Sequence, residues 1–157
     1  MSPNIGISTK NLKKSTNILA TILSNEMTLY VKTRKFHWNI SGNSFMELHK
    51  LFEDQYRILE NNIDEVAERI SQLGEKTIGT MTEFIENSTL KESPKEYVSQ
   101  KNMLQELLEN HEQMVTEFRD YIPAFENDNH DIGSADFITG LLQQHEKMAW
   151  ILRRYQA

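Results

Sequence analysis

Five residues, His37, His49, Glu53, Asp64 and Glu68, have side chains and spacings that suit the ligands of a metal ion. His49 and Glu53 are four apart and share one face of a helix. Asp64 and Glu68 repeat that arrangement on the same stripe, because eleven residues is close to a whole number of turns. At about 1.5 Å of rise per residue, Glu53 and Asp64 are roughly 16 Å apart along the axis, whereas a ligand atom sits within about 2.0–2.6 Å of its ion. One straight helix therefore cannot bring both pairs to one ion. The pairs are mirror-symmetric about a point between Ile58 and Leu59, with His49 against Glu68 and Glu53 against Asp64. If a second copy lay antiparallel across a two-fold axis there, His49 and Glu53 of one subunit would face Asp64 and Glu68 of the other. The spacing thus suggests two equivalent sites at a homodimer interface. Taken singly, each carboxylate also reads as a solvated surface group or salt-bridge partner, and each histidine as a helix-end or core residue.

The element carrying the stripe is a long amphipathic helix, since Phe45, Leu48, Phe52, Tyr56, Leu59, Ile63, Val66, Ile70 and Leu73 recur at three and four. Ser44 with Glu47 three residues on predicts a capping box at its start, and Gly74 predicts its end. Before it, Leu12 to Asn39 reads as a first helix with Leu19, Ile22, Leu23, Met27, Tyr30 and Val31 on its apolar side. Gly42 makes the break between the two short, so they form an antiparallel hairpin that brings His37 toward His49. Residues 75 to 97 are long for a hairpin link and fit a crossover between two helix pairs. Thr80 and Glu83 predict a short capped helix inside it. A third helix runs from Tyr97 or Gln100 to Phe125, where Pro123 should kink or end it. After a polar break closed by Gly133, Ser134 is the expected cap of a fourth helix carrying Phe137, Ile138, Leu141, Leu142, Met148, Ala149 and Leu152. The reading is an all-α four-helix bundle in a single domain, residues 1–157, with 1–10 as a short flexible tail.

Composition narrows the chemistry. The chain has 157 residues, enough for one sizeable core, and no cysteine, which removes disulfides, thiolate catalysis, Cys-ligated zinc and iron–sulfur clusters. A formal charge of −6 argues against a generic nucleic-acid-coating surface. Lys10, Lys13 and Lys14 form a small basic cluster that reads first as a solvated helix start and second as a DNA contact. With no apolar leader and no membrane-length segment in the sequence, the expected location is cytoplasmic.

The runs KTRKFHWNISG, FMELHKLFE, DEVAERISQLG and ADFITGLLQQHEKMAWILRRY resemble the Dps proteins, the ferritin-like "DNA-binding protein from starved cells" family, over Leu12 to Tyr155. The resemblance implies a ferritin-like four-helix bundle with a short helix in the long middle connection. It also implies a hollow homododecamer of 23 symmetry whose ferroxidase centres lie between two-fold-related subunits. Carried over by position, His37, His49 and Glu53 come from one subunit and Asp64 and Glu68 from its partner. The family usually has aspartate where this chain has Glu53, so the carboxylate here reaches further. The implied activity is oxidation of Fe(II), with hydrogen peroxide ahead of O2 as oxidant, and storage of the Fe(III) mineral in the shell, protecting against oxidative damage in starvation. The alternatives are a non-enzymatic DNA-compacting stress protein and a structural or immune-signalling member of the same fold.

The resemblance also places Trp38 beside the centre, first as an interface-packing residue and second as an acceptor of an oxidising equivalent. Asp136 is the closest match to the acidic pore residues, with Asp131, Asp128 and Glu126 as companions; the same groups also read as solvated loop and first-turn charges. Asp54, Glu60 and Glu65 read as surface groups or partners of the ligands. His145 reads as a hydrogen-bonded packing residue, His130 as exposed, and His111 has no comparable constellation. Met27, Met103, Met114 and Met148 fit core spacing, and nothing singles out a haem ligand.

Overall fold

The computed structural model describes residues 3–93 and 97–156. The first helix, α1 (Thr9–Asn39), begins three residues before the expected Leu12. Ser8 is extended and its Oγ accepts the Asn11 N–H at 3.2 Å, which makes it the N-cap. Lys10, Lys13 and Lys14 therefore stand on the first two turns of a helix. Upstream, Pro3 lies against Gly74, where an added Cβ would meet the proline Cδ at 2.5 Å.

Helix α2 (Phe45–Gln72) presents Leu48, Phe52, Tyr56, Leu59, Val66 and Ile70 to the core, as its periodicity requires. The expected Ser44–Glu47 capping box does not form. Ser44 has φ −101° and ψ 24°, outside the extended region a side-chain cap needs, and makes no cap hydrogen bond. Glu47 instead accepts from the Tyr155 hydroxyl at 2.7 Å, tying the last residues of the chain to the start of α2. That bond to a carboxylate, reinforced by burial, pushes the phenol up to about 12. Gly74, at φ 90°, closes the helix in the left-handed conformation that glycine adopts most readily.

The short helix α3 (Met81–Asn87) carries the expected capping box: Thr80 Oγ1 accepts the Glu83 N–H at 3.2 Å, and Glu83 Oε2 accepts the Thr80 N–H at 2.9 Å. Helix α4 spans Gln100–Pro123 and passes into a π-helical turn, Ala124–Asp128. Proline has no N–H to offer the preceding turn, and the α-helix ends at it as expected, the backbone continuing in the wider π turn. Helix α5 (Ile132–Arg154) is capped by Asp131 and not by Ser134. Asp131 Oδ1 accepts both the Ser134 N–H and an Arg69 Nη2 hydrogen at 3.1 Å, and Ser134 Oγ accepts from Arg69 Nε at 3.1 Å. One arginine of α2 thus organises the start of α5.

The pairs α1/α2 and α4/α5 are antiparallel hairpins packed side by side, with α3 in the long connection against α1. Leu19, Ile22 and Leu29, Phe52 and Leu59, Leu107 and Phe118, and Ile138 and Leu152 meet in one core. Full burial of each such side chain contributes about 1.5–3 kcal/mol. Asn25 of α1 fastens the connection: its Oδ1 accepts from Thr89 N and Ser88 Oγ, and its Nδ2 donates to Thr89 Oγ1 and Glu117 Oε2, all within 2.8–2.9 Å. The result is the all-α, ferritin-like bundle with a short helix in its long link. Among the described residues, no helix is long and apolar enough to cross a membrane.

Candidate functional site

The α1/α2 hairpin brings His37 and His49 face to face. Their rings stack at 3.8 Å between centroids and 21° between planes. Each Nδ1 meets the main-chain oxygen of the other residue, His37 Nδ1 to His49 O at 2.7 Å and His49 Nδ1 to His37 O at 2.9 Å. A carbonyl oxygen only accepts, so both Nδ1 atoms must carry hydrogen, and in the neutral rings the lone pairs belong to Nε2. This is how a metal-binding histidine is commonly oriented, with one nitrogen fixed on a carbonyl and the other presented.

Aromatic side chains surround this pair. Tyr56 meets His37 edge-on at 5.3 Å, and Phe45 lies 5.1 Å from His49. The Arg34 guanidinium sits 4.4 Å from the Tyr56 ring, 5.4 Å from Tyr30 and 5.5 Å from Trp38. Trp38 itself is 65% exposed, so in one chain its ring has no enclosing partner.

The carboxylates are placed differently. Glu53 is held by Arg57 one turn on: Nε and Nη2 donate to Oε1 at 3.0 and 2.7 Å, with Lys50 at 3.8 Å from Oε2. That guanidinium contact, with Lys50 adding to it against a smaller cost of desolvation, holds the Glu53 carboxyl below the usual range. Asp64 and Glu68 are exposed further along α2. Among the described residues of one chain, no three histidine or acidic side chains gather where they could hold one ion. Of the five candidates, the fold brings together His37 and His49; it leaves Glu53 on Arg57 and the other two carboxylates at a distance.

The acidic residues at the start of α5 also separate. Asp136, Asp128 and Glu126 are exposed. Asp131, expected as their companion at a pore mouth, is a correction: it is 1% exposed, capping α5 and paired with Arg69. Lys10 and Lys14 are exposed, and Lys13 makes an ion pair with Glu75 at 3.2 Å.

Two relationships escaped the sequence reading. One is the Arg57 hold on Glu53. The other is a buried polar chain at mid-bundle, Glu26 Oε1 to His145 Nε2 at 2.8 Å and His145 Nδ1 to His111 Nδ1 at 2.9 Å. All three residues are fully buried. A signal existed: Glu26 lies in the apolar phase of Ile22, Leu23 and Leu29, and His111 in that of Leu107, Leu108 and Met114.

Known proteins align with nearly the whole chain. A family model of the ferritin-like domain matches residues 16–157. An uncharacterized low temperature-induced protein of a Nostoc species is 39% identical over 152 residues, covering 97% of this chain and 85% of that protein. DNA protection during starvation protein 2 of Bacillus anthracis is 30% identical, covering 91% of this chain and 97% of its own length. Among solved structures, the Dps protein of Vibrio cholerae superposes with a TM-score of 0.92 at 28% identity, covering 100% of this chain and 98% of that one. It is described as a member of a broad superfamily of ferritin-like diiron-carboxylate proteins. Dps from Thermosynechococcus elongatus gives a TM-score of 0.90 at 30% identity, covering 95% and 94%. With its bundle, its long capped connection and these relatives, the chain belongs to the Dps branch of the ferritin-like family.

Proposed function

We propose that this chain is the subunit of a hollow homododecamer that oxidises Fe(II) at sites shared between two-fold-related subunits and retains the ferric product inside. The observation that carries the reading is the reciprocal His37–His49 arrangement, which presents two Nε2 positions from one hairpin. In this reading His37, His49 and Glu53 form one half of each site. Asp64 and Glu68 of the partner subunit form the other, placed by the mirror spacing about Ile58 and Leu59. Imidazole and carboxylate together suit Fe(II), and carboxylate oxygen also holds Fe(III). Hydrogen peroxide is the preferred oxidant, with O2 second. Two Fe(II) ions give up one electron each, the peroxide O–O bond breaks with both, and the oxygens leave as hydroxide equivalents without hydroxyl radical. Exposed Asp136, with Asp128 and Glu126, supplies negative charge for iron entry near the start of α5.

The test is Fe(II) oxidation by peroxide in the assembled protein. Replacing His37→Ala together with Asp64→Ala should slow it sharply and reduce the ferric core; oxidation curves that coincide with the unmodified protein would refute the site.

DNA compaction is the second reading, supported by exposed Lys10 and Lys14 and by relatives named for DNA protection during starvation. Lys13 is already paired with Glu75, which weakens the basic patch. Salt-dependent DNA retardation lost on removal of residues 1–14 would support it, and no retardation at low salt would exclude it.

A further inference from the structure

Arg57 holds the one carboxylate that the proposed site needs from its own half. The pair spans one turn on a largely solvated face, with the arginine side chain 63% and the glutamate 25% exposed. Water screens such a pair and the two side chains lose freedom in making it, so it holds weakly and exchanges partners readily. What Arg57 would exchange for follows from the α2 spacing. The reflection between Ile58 and Leu59 that sets His49 opposite Glu68 and Glu53 opposite Asp64 also sets Arg57 opposite Glu60. Glu60 is exposed; in its own chain it accepts from the Tyr30 hydroxyl, a neutral partner that leaves its charge unbalanced, and its carboxylate already adds to the field on Arg57. Association of two α2 helices would remove Arg57 from water, where a guanidinium without a carboxylate is costly.

We propose that Arg57 is a positioning residue that changes partner on assembly, from Glu53 in its own chain to Glu60 of the partner subunit, releasing Glu53 to the metal ion. The proposal rests on the inter-subunit site described above. Metal affinity is then coupled to assembly: an isolated chain keeps Glu53 occupied by Arg57, and the symmetric pair frees both copies of Glu53 at once.

The experiment is a double-mutant cycle in the intact oligomer, comparing unmodified protein, Arg57→Gln, Glu60→Gln and the double variant, with Zn(II) as a redox-inert probe titrated calorimetrically. Without Glu60, Arg57 falls back on Glu53. Arg57→Gln should therefore raise Zn(II) affinity about three- to fivefold more in the Glu60→Gln background than in the unmodified one. A change of local charge alone acts equally in both backgrounds, and equal effects overturn the proposal. Sedimentation supplies an independent measure where a variant assembles poorly. Arg57→Gln and Glu60→Gln should each weaken subunit association, and the double variant no further than either; additive losses count against the proposal. His37→Ala separates the two readings. If Zn(II) affinity does not respond to it, the site reading falls and this proposal with it. If affinity does respond but the cycle shows no coupling, only the role of Arg57 falls.

Discussion

His111 and His145 meet Nδ1 to Nδ1 at 2.9 Å, both imidazoles fully buried, and one hydrogen must lie between those two nitrogens. On its far side His145 contacts Glu26, so the chain crosses from α4 through α5 to α1. Burial, with the neighbouring His145 second, pushes His111 well below the ordinary histidine value. In the folded protein His111 therefore stays neutral, while the unfolded chain takes up a proton below about pH 6.5. The stability this confers is complete above that pH and is lost progressively as pH falls from it toward the depressed folded value. Thermal melting followed between pH 7.5 and 5 should show this fall, and His111→Leu should flatten it. An unchanged slope in the variant would refute the assignment.

Glu26→Ala removes the carboxylate that faces His145 and leaves its Nε2 unpaired in the core. Leaving a buried hydrogen-bonding group without its partner costs about 1–3 kcal/mol, and the truncated side chain leaves a cavity besides. Glu26→Ala should therefore lower the melting temperature far more than removal of the exposed pair Arg119–Glu146, for which no measurable loss is expected.

At the proposed metal centre, His37 and His49 act as a unit, because each ring is oriented by the other residue's backbone and by stacking. His37→Ala and His49→Ala should each slow Fe(II) oxidation strongly, and the double variant should be little slower than either. Initial rates that multiply across the two variants would show two independent ligands instead.

Gly74 closes α2 at φ 90° with Pro3 against it. Alanine there is strained by backbone conformation and by the 2.5 Å approach, at a cost of about 1–2 kcal/mol. Gly79 has nothing within 4 Å and an ordinary φ. A melting temperature that falls for Gly74→Ala and holds for Gly79→Ala is the expected result, and equal effects would refute it.

The bundle was legible because helices are written locally. The stripe from Leu48 to Leu73, the Thr80–Glu83 box and Gly74 each act over one to a few turns, and the structure keeps all three, leaving only Phe45 at the helix start exposed. The errors lay where a side chain had two possible partners. Ser44 and Glu47 had the right spacing for a box, but Tyr155 reaches Glu47 from the far end of the chain. Ser134 could have capped α5, but Asp131 was placed by Arg69, which no local pattern indicates.

By itself, the sequence determined four amphipathic helices, their hairpin pairing and a ligand stripe too long for one ion, since these follow from helical period and rise alone. Only the tertiary structure decided which hydrogen each His37 and His49 ring carries, that Arg57 rather than a metal-binding face holds Glu53, and that Glu26, His145 and His111 join at the centre of the bundle. A ring's tautomer depends on the atom opposite it, and a buried charge on the partner it meets. Those atoms belong to other turns and other helices, beyond the reach of any pattern within one element.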